Sequence, residues 1–163
     1  MNKTFVSNNQ NDTQKFAKEL AEEILTTPPM SRLNLDIGGE GAVVLALMGD
    51  LGSGKTTFAQ GFAKALGIKE KVKSPTFIIF RKWKMEGGRW KERFKHFHHF
   101  DVYRIHGEKE ILNLGWEEII KDPANIILVE WADKIEKILP KNRVKINFKH
   151  LKGDKREIRI TKT

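Results

Sequence analysis

The spacing of apolar residues along the chain predicts an alternation of helices and strands. Between Asn11 and Leu25 apolar positions recur once per helical turn, so this stretch is predicted to be an amphipathic helix that begins with a capping box of Asn11 and Gln14. Ala42 to Met48 is instead a continuous apolar run of strand length, which is typical of a strand buried on both faces of a parallel sheet.

The rest of the chain continues this alternation. Lys55 to Leu66 carries apolar residues at helical spacing, and Gly67 stands where a helix commonly ends in a left-handed turn. The remaining predicted elements are paired strands at Thr76–Phe80 and Phe97–Tyr103, a helix over Glu108–Ile120 interrupted at Gly115, a buried strand at Ile126–Val129, a short helix at Asp133–Leu139, an alternating strand at Val144–Phe148 and a closing strand at Glu157–Ile160. We therefore predict an α/β fold whose central, mainly parallel sheet has flanking helices and antiparallel additions, among them a C-terminal hairpin.

Length, charge and cysteine content narrow the class of protein. A chain of 163 residues is the size of one domain, so residues 1–163 are expected to form a single domain. The absence of cysteine excludes a disulfide framework and a thiolate metal site. No signal peptide or membrane-spanning apolar stretch is recognisable, so we expect a cytoplasmic protein that does not bind membranes. The formal net charge of +9 fits a polyanionic partner as well as simple solubility.

A complete phosphate-binding motif follows the first buried strand. Gly49-Asp50-Leu51-Gly52-Ser53-Gly54-Lys55-Thr56 matches G-x-x-x-x-G-K-[ST] and stands between a strand and a predicted helix, as this motif requires. Its glycines let the backbone turn N–H groups inward, and the helix N-terminus adds partial positive charge beside the phosphates. Lys55 is expected to reach the β- and γ-phosphates, and the Thr56 hydroxyl to coordinate Mg²⁺. We therefore predict a P-loop NTPase-like, nucleotide-binding domain.

Two carboxylates on predicted strands are candidates for the acidic side of this site. Mg²⁺ is usually held by one or two acidic oxygens together with phosphate oxygens. Glu130 follows the Ile126–Val129 strand, and Asp101 has a similar place on the predicted strand that ends at Tyr103. Chain order does not decide which of the two orients an attacking water. Because the Asn-Lys-x-Asp signature of a GTPase is missing, ATP or ADP is the expected nucleotide, with no adenine-contacting residue identified.

Between Arg81 and Lys95 the chain is strongly basic and contains three aromatic residues. Lysines and arginines beside stacking-capable rings occur in nucleic-acid-binding surfaces. The pattern also fits a solvated hairpin whose aromatic side chains cover the sheet, which is the more common outcome for a charge run. Of the histidines that follow, His98 and His99 are predicted to point to opposite faces of their strand, so we do not expect them to share a metal ion.

Four further segments accompany the P-loop in a defined order. After the P-loop with Thr57 following it come Ser74-Pro75-Thr76-Phe77, His99-Phe100-Asp101-Val102-Tyr103-Arg104, Leu114-Gly115-Trp116-Glu117-Glu118, and Val129-Glu130-Trp131-Ala132-Asp133 leading to Leu139-Pro140. In this combination the chain resembles, over nearly its whole length, the TsaE (YjeE) family of bacterial P-loop proteins. That family is required for making threonylcarbamoyladenosine in tRNA. The P-loop is common to many families, whereas its combination with the Ser-Pro-Thr-Phe and His-x-Asp-x-Tyr-Arg segments is highly specific.

The resemblance implies an ATPase that hydrolyses ATP with Mg²⁺ in a complex with two partner proteins, TsaB and TsaD, and supports their repeated turnover. The transfer reaction itself belongs to TsaD. By position in the family motifs, the implied catalytic residues are Lys55, Asp101 and Glu130, the implied magnesium ligands are Thr56 and Glu130, and the implied nucleotide contacts are Gly49 to Thr57 together with Trp131, which lies near the nucleotide or the partner surface. Ser74 to Phe77 resembles a switch loop that responds to the γ-phosphate.

Two other functions stay open at the level of sequence. A small-molecule kinase could use the same P-loop, because loop and magnesium chemistry are shared between hydrolysis and phosphoryl transfer, although no lid or acceptor-binding segment is recognisable. A nucleic-acid-binding module with structural ATP could instead use the basic Arg81–Lys95 stretch, which falls in a variable part of the family. That stretch could contact tRNA directly, or tRNA could be reached only through the complex.

Overall fold

The structure, a computed structural model, describes residues 2–26, 41–70, 72, 79–86, 90 and 92–162. Within these residues the chain forms seven strands, four α-helices and one 3₁₀ helix. In chain order they are β1 (Asn2–Ser7), α1 (Gln10–Thr26), β2 (Val43–Met48), α2 (Lys55–Ala65), β3 (Phe80–Lys84), β4 (His96–Asp101), α3 (Glu108–Leu112), α4 (Trp116–Lys121), β5 (Asn125–Glu130), the 3₁₀ helix (Ala132–Ile138), β6 (Val144–His150) and β7 (Arg156–Lys162). In this part of the chain, no helix is both long and apolar enough to cross a membrane.

The described strands form one sheet in the order β1-β7-β6-β2-β5-β4-β3. The four central strands β6, β2, β5 and β4 run parallel to one another. At the two edges β3, β7 and β1 pair in antiparallel orientation, and β6 with β7 forms the C-terminal hairpin. The predicted α/β fold, with its mainly parallel centre, antiparallel additions and C-terminal hairpin, is therefore confirmed.

Helices cover both faces of the sheet because the central strands are apolar on both sides. In β2, Leu45 belongs to the apolar cluster beneath α1 and α2, whereas Val44 and Ala46 belong to the cluster on the other face. That second cluster also contains residues of α3, α4 and the 3₁₀ helix, including the buried ring of Trp116. Since successive strand residues point to opposite faces, a strand covered on both sides has an uninterrupted apolar sequence.

The N-terminal edge of the sheet differs from the prediction. The sequence pattern does not indicate β1, which pairs with β7 up to Ser7 opposite Arg156. α1 then begins at Gln10, and the Asn9 side chain accepts the backbone N–H of Asp12 at 2.9 Å. The predicted capping box of Asn11 and Gln14 is therefore wrong. Because β1 ends at Ser7, the helix begins earlier in the chain than predicted, and Asn9 is its N-cap.

Two other predicted helices have a different form. The predicted helix over Glu108–Ile120 is two short helices, α3 and α4, separated by a turn that ends at Gly115 with the left-handed φ of +80°. The predicted helix from Asp133 is a 3₁₀ helix with a kink at Ile135. Of the strand predicted at Thr76–Phe80, the residues before Ile79 lie outside the described part, and β3 continues into the basic stretch.

At one edge of the sheet, segments from the strands on both sides of β2 lie close to the P-loop. The carboxyl ends of parallel strands meet at the same edge. β2 leads there into the P-loop, and Asp101 of β4 and Glu130 of β5 are register partners at this edge. Because β7 runs antiparallel to β6, Arg156 at the start of β7 also lies there, opposite Ser7 at the end of β1. The fold thus surrounds the P-loop with β4 and β5 on one side and β7 and α1 on the other.

Candidate functional site

The loop between β2 and α2 requires its glycines. Gly49, Gly52 and Gly54 have φ of +137°, +74° and +103°, a region that other residues rarely adopt. A Cβ on Gly49 would also lie 2.3 Å from the carbonyl oxygen of Phe148 in β6. Gly54 immediately precedes α2, whose first backbone N–H groups carry partial positive charge. The backbone therefore wraps closely around a helix N-terminus, as phosphate binding requires.

The Lys55 ammonium is held inside this loop, with the residue only 4% exposed. Its Nζ donates to the carbonyl oxygens of Gly49 and Asp50 at 2.6 and 2.8 Å and to Ser53 Oγ at 3.3 Å. It also lies 3.7 Å from the centre of the Trp131 ring, in a cation–π contact. Burial lowers the pKa of Lys55, and nearby carboxylates oppose that shift. The loop thus contains a positioned positive charge.

A buried chain of hydrogen bonds joins Thr56, Glu130 and His99. Thr56 Oγ1 donates to Glu130 Oε2 at 2.8 Å, and the other carboxylate oxygen, Oε1, lies 2.9 Å from His99 Nε2. Both Glu130 and His99 have side chains that are 1% exposed. Because a carboxylate oxygen accepts hydrogen bonds, the ring N–H at His99 Nε2 is the donor in this contact. Both oxygens of Glu130 are therefore oriented, one toward the P-loop and one toward β4.

The second carboxylate, Asp101, is buried beside Glu130 at the same edge. Asp101 Oδ1 accepts the backbone N–H of Tyr103 at 3.1 Å. The Tyr103 ring packs on Trp131, with 4.7 Å between the ring centroids. Trp131 has a φ of +60°, a left-handed conformation that is strained for an aromatic residue. This sharp turn after Glu130 places the indole ring over Lys55.

These groups line a pocket with a volume of about 390 Å³. Small-molecule sites commonly have volumes of roughly 300–1,000 Å³. The residues that line the pocket are Gln10, Leu51, Gly52, Ser53, Gly54, Lys55, Thr56, Thr57, Asp101, Tyr103, Glu130, Trp131 and Arg156. Of the sequence-predicted site residues, Gly49 and Asp50 are not among them, and they contribute the carbonyl groups that Lys55 binds. The structure therefore brings the other predicted residues together at one pocket.

The motifs do not assign a role to four residues at this site. His99 could have been placed at the site from the sequence, because it stands two residues before Asp101 and alternate residues of a strand share a face. Tyr103 belongs to the same segment and lines the pocket. Gln10 and Arg156 have no signal in the sequence, since they reach the pocket only through the pairing of β1 and β6 with β7.

In the described part of the basic Arg81–Lys95 stretch, aromatic side chains turn inward. Trp83 is buried and its Nε1 donates to Glu70 at 3.0 Å, and Phe94 is buried in the same apolar cluster. The exposed cations of this stretch include Arg81, Lys82, Lys84 and Lys95. Trp83 and Phe94 thus cover the sheet and are unavailable for base stacking, while the exposed cations are accessible to phosphate groups.

His98 and His99 point to opposite faces of β4, as predicted. The His98 ring stacks on Phe80 with 5.6 Å between the centroids, on the face that α3 and α4 cover. Burial lowers the pKa of His98 to about 4. Neither ring nitrogen of His98 has a hydrogen-bond partner among the described residues. His98 is therefore a neutral part of the core near pH 7, whereas His99 belongs to the site.

The fold and the loop together define the class of protein. A glycine-rich loop joins the central parallel strand β2 to a helix that begins with Lys55 and Thr56, and the neighbouring parallel strands carry the acidic residues. This is the P-loop NTPase fold. The profile of the family described as "Threonylcarbamoyl adenosine biosynthesis protein TsaE" matches residues 7–158, and the chain belongs to this TsaE family.

Individual relatives agree with this membership. Three curated proteins named "tRNA threonylcarbamoyladenosine biosynthesis protein TsaE" are similar to the chain. The Bacillus subtilis (strain 168) protein is 43% identical over 118 residues, which cover 72% of this chain and 68% of that protein. The Rickettsia bellii protein is 32% identical over 164 residues, which cover 99% of this chain and 96% of that protein. The Haemophilus influenzae protein is 30% identical over 146 residues, which cover 90% of this chain and 80% of that protein. The crystal structure of Bacillus subtilis YdiB superposes with a TM-score of 0.70 at 32% identity, covering 99% of this chain and 86% of that one.

Proposed function

We propose that this chain binds ATP with Mg²⁺ and hydrolyses it as the ATPase subunit of a complex with TsaB and TsaD that makes threonylcarbamoyladenosine in tRNA. Membership of the TsaE family supports the pathway. The hydrogen-bonded arrangement of Lys55, Thr56 and Glu130 around the start of α2 is the observation that carries the ATPase assignment. ADP is the product that occupies the same site.

Triphosphate binding is supported by positive charge and by backbone donors. The Lys55 ammonium and the N–H groups at the start of α2 line the same pocket and favour an anionic ligand. Hydrogen bonds to charged groups contribute about 1.5–3 kcal/mol each, roughly twice the value for neutral pairs. The residues from Gly49 to Thr57 therefore select phosphate groups, and Trp131 packs beside them.

The oxygens of Thr56 and Glu130 fit a magnesium ion. Mg²⁺ prefers oxygen ligands, keeps several waters and takes one or two protein oxygens in addition to phosphate oxygens. A hydroxyl oxygen and a carboxylate oxygen lie 2.8 Å apart at the mouth of the P-loop, which is a suitable donor set. When bound, Mg²⁺ neutralises charge that develops on the phosphates.

The two carboxylates have separate roles in this proposal. Glu130 directs one oxygen at Thr56, the other proposed metal ligand, and is held through its second oxygen by His99, so Glu130 would hold the metal together with Thr56. Asp101 is its register partner at the pocket and orients the attacking water as general base. Lys55 stabilises the charge that develops on the transferred phosphoryl group.

Phosphate release measured with and without the two partners tests this function. We expect the lone chain to release phosphate slowly and the mixture with TsaB, TsaD, ATP and Mg²⁺ to release it well above that level. Lys55→Ala and Glu130→Ala should abolish the increase. Lys64→Ala is the matched control, because Lys64 is an exposed lysine in the last turn of the same helix. Equal release with and without partners would contradict the partner-dependent ATPase.

The same reaction mixtures separate the ATPase from a kinase. Both activities use a P-loop and Mg²⁺, and they differ in whether water or a metabolite hydroxyl receives the γ-phosphate. Labelled γ-phosphate that appears on an added metabolite, with no free phosphate, would replace the ATPase by a small-molecule kinase. tRNA is expected to reach the chain through the complex or through phosphate contacts with the exposed cations of the basic stretch.

A further inference from the structure

We propose that Lys134 is a positioning residue for ATP hydrolysis, because it holds the backbone turn at Tyr103 that orients the Asp101 carboxylate. The inference rests on the proposed function, in which Asp101 orients the attacking water. Lys134 is not among the residues that line the nucleotide pocket, so it acts on the reaction only through the residues it holds.

The orientation of the Asp101 carboxylate depends on the chain segment that follows β4. The backbone N–H of Tyr103 donates to Asp101 Oδ1 at 3.1 Å. The N–H of Val102 donates to the carbonyl oxygen of Glu130 at 3.2 Å, which ties the start of this segment to β5. A general base must reach its proton across roughly 2.6–3.2 Å, so a displacement of Tyr103 would move Asp101 out of the productive geometry.

Tyr103 itself stands in the exposed connection between β4 and α3, and its side chain is 43% exposed. Connecting segments at the surface are generally more mobile than the strands and helices they join. A fixed position for Tyr103 therefore needs contacts with groups outside its own segment.

Lys134 makes two such contacts. Its Nζ donates to the carbonyl oxygen of Tyr103 and lies 5.2 Å from the centre of the Tyr103 ring, in a cation–π contact. Lys134 is the third residue of the 3₁₀ helix, and its backbone N–H donates to the carbonyl oxygen of Trp131 at 3.0 Å. The ammonium thus links the segment after β5 to the segment after β4.

The aromatic rings complete this link. The Tyr103 ring packs on Trp131 with 4.7 Å between the centroids, so Tyr103 is held through its N–H, its carbonyl oxygen and its ring. Asp101 and Glu130 are register partners in β4 and β5. A link between the segments that follow them therefore fixes the two carboxylates relative to each other.

The contacts that hold the phosphates do not pass through Lys134. The pocket residues Lys55 and Thr56 are positioned by the P-loop and by Glu130. Loss of the Lys134 ammonium should therefore lower the fraction of bound ATP that meets a correctly oriented Asp101, and leave nucleotide binding nearly unchanged. An effect on kcat without an effect on KM distinguishes this role from a general loss of structure.

ATP hydrolysis by the full chain with Mg²⁺ and saturating TsaB and TsaD tests this role. We expect Lys134→Met, which keeps an apolar stem and removes the ammonium, to lower kcat about three- to tenfold, the effect of one lost hydrogen bond. KM for ATP and calorimetric affinity for MgADP should stay within about twofold. Lys134→Arg retains a donor and should restore most of kcat. Lys137→Met is the matched control, because Lys137 is an exposed lysine of the same 3₁₀ helix.

Each other result has a defined meaning. Unchanged kcat in Lys134→Met would overturn the inference, and so would an equal decrease in Lys137→Met. A parallel loss of MgADP affinity, or a decrease that Lys134→Arg does not restore, would indicate a general structural effect and also overturn it. A decrease that more TsaB and TsaD removes would place Lys134 on the partner surface instead. An unsubstituted chain whose hydrolysis does not respond to the partners would refute the proposed function, so the two failures are distinguishable.

Discussion

A single histidine organises the acidic side of the pocket. His99 Nε2 and Thr56 Oγ1 each lie within hydrogen-bond distance of one oxygen of the buried Glu130 carboxylate. A carboxylate with two fixed partners presents its remaining lone pairs in one direction, which is how partners behind a metal ligand orient it. His99 is therefore a positioning residue for Glu130 in the proposed site.

Replacement of His99 should weaken magnesium binding. We expect His99→Ala to raise the Mg²⁺ concentration needed for half-maximal ADP binding about tenfold or more, because loss of a partner behind a metal ligand commonly has that effect. His99→Gln, which retains an N–H donor, should restore part of the affinity. His98→Gln is the control, because it lies next to His99 on the opposite face of β4. Magnesium titrations of ADP binding check this, and equal affinity in His99→Ala would exclude the positioning role.

The buried His98 should make stability depend on pH. Burial is the main cause of the lowered pKa of about 4, compared with an ordinary value of 6.5, and the neighbouring Lys82 and His96 lower the pKa further. Between these values the unfolded chain binds the proton and the folded chain does not. The free energy of unfolding must therefore fall as the pH falls through this window, by about 2 kcal/mol between pH 7 and pH 5.

Urea unfolding at pH 7 and pH 5 measures this dependence. His98→Phe, which places a ring that does not titrate against Phe80, should lose most of the pH-dependent change. His106→Gln provides the comparison, because His106 is exposed on the surface. If His98→Phe and the unsubstituted chain lose the same free energy between the two pH values, the dependence arises from other groups.

At the scale of elements, α1 and α2 approach closely at a glycine. A Cβ on Gly61 of α2 would lie 2.7 Å from both the Cα and the carbonyl oxygen of Gln14 in α1. The contact brings α2, and with it the P-loop, against the helix whose first residue lines the pocket. Gly61 is therefore required for helix packing, although glycine is a poor helix former.

Gly61→Ala should destabilise the protein despite its better helix propensity. Alanine favours a helix by about 1 kcal/mol over glycine, whereas overpacking against backbone commonly costs about 1–3 kcal/mol or more. We expect a net loss of about 1–2 kcal/mol in the free energy of unfolding by urea. Gly107→Ala should be nearly neutral, because its φ of −179° suits any residue and nothing lies within 4 Å of the added Cβ. A stabilised Gly61→Ala would show that the helices can move apart at little cost.

At the scale of the whole molecule, ligand binding should raise stability by mass action. A ligand at one hundred times its dissociation constant adds about 2.7 kcal/mol to the free energy of unfolding. For a chain of this size that corresponds to an increase in Tm of roughly 5–10 °C. We expect this increase with MgADP, a smaller one when EDTA removes the metal, and none with Lys55→Ala. Thermal unfolding followed by circular dichroism measures it, and a full increase in EDTA would contradict a role for Mg²⁺.

The net charge of +9 should make any tRNA binding sensitive to salt. In the basic stretch Trp83 and Phe94 are buried against the sheet, so the contacts would be with phosphates. We expect the triple variant Arg81→Gln, Lys82→Gln, Lys84→Gln to weaken binding and to reduce the salt dependence by about one counterion per side chain removed. Fluorescence anisotropy of labelled tRNA at several salt concentrations measures both quantities.

A second triple variant controls for net charge. Lys15→Gln, Lys18→Gln, Lys64→Gln removes the same charge from exposed positions on α1 and α2. If the two variants weaken tRNA binding equally, the effect follows from total charge and the basic stretch is not a contact surface.

The sequence alone was sufficient for the P-loop and for the central elements. Gly49 to Thr56 is a local motif, and its left-handed glycines and buried lysine satisfy requirements contained within eight residues. The strands β2 and β5 were predictable because a continuous apolar run of this length favours a buried strand. The helix α2 was predictable because its apolar residues recur at helical spacing. Gly67, with a φ of +82°, ends α2 as predicted. Gln10 starts α1 where an incorrect capping box was predicted, because β1 has too weak a pattern to be recognised.

The tertiary structure decided which distant residues meet. Thr56 and Glu130 are separated by 74 positions and are joined by one hydrogen bond, and Trp131 reaches Lys55 only through a strained turn. Arg156 reaches the pocket because β7 pairs between β6 and β1. Strand order depends on which surfaces pack together once all elements have formed, and hydrophobic spacing along the chain carries no information about it. The phosphate loop could therefore be predicted from the sequence, whereas the order of strands in the sheet determined the acidic side and the opposite end of the pocket.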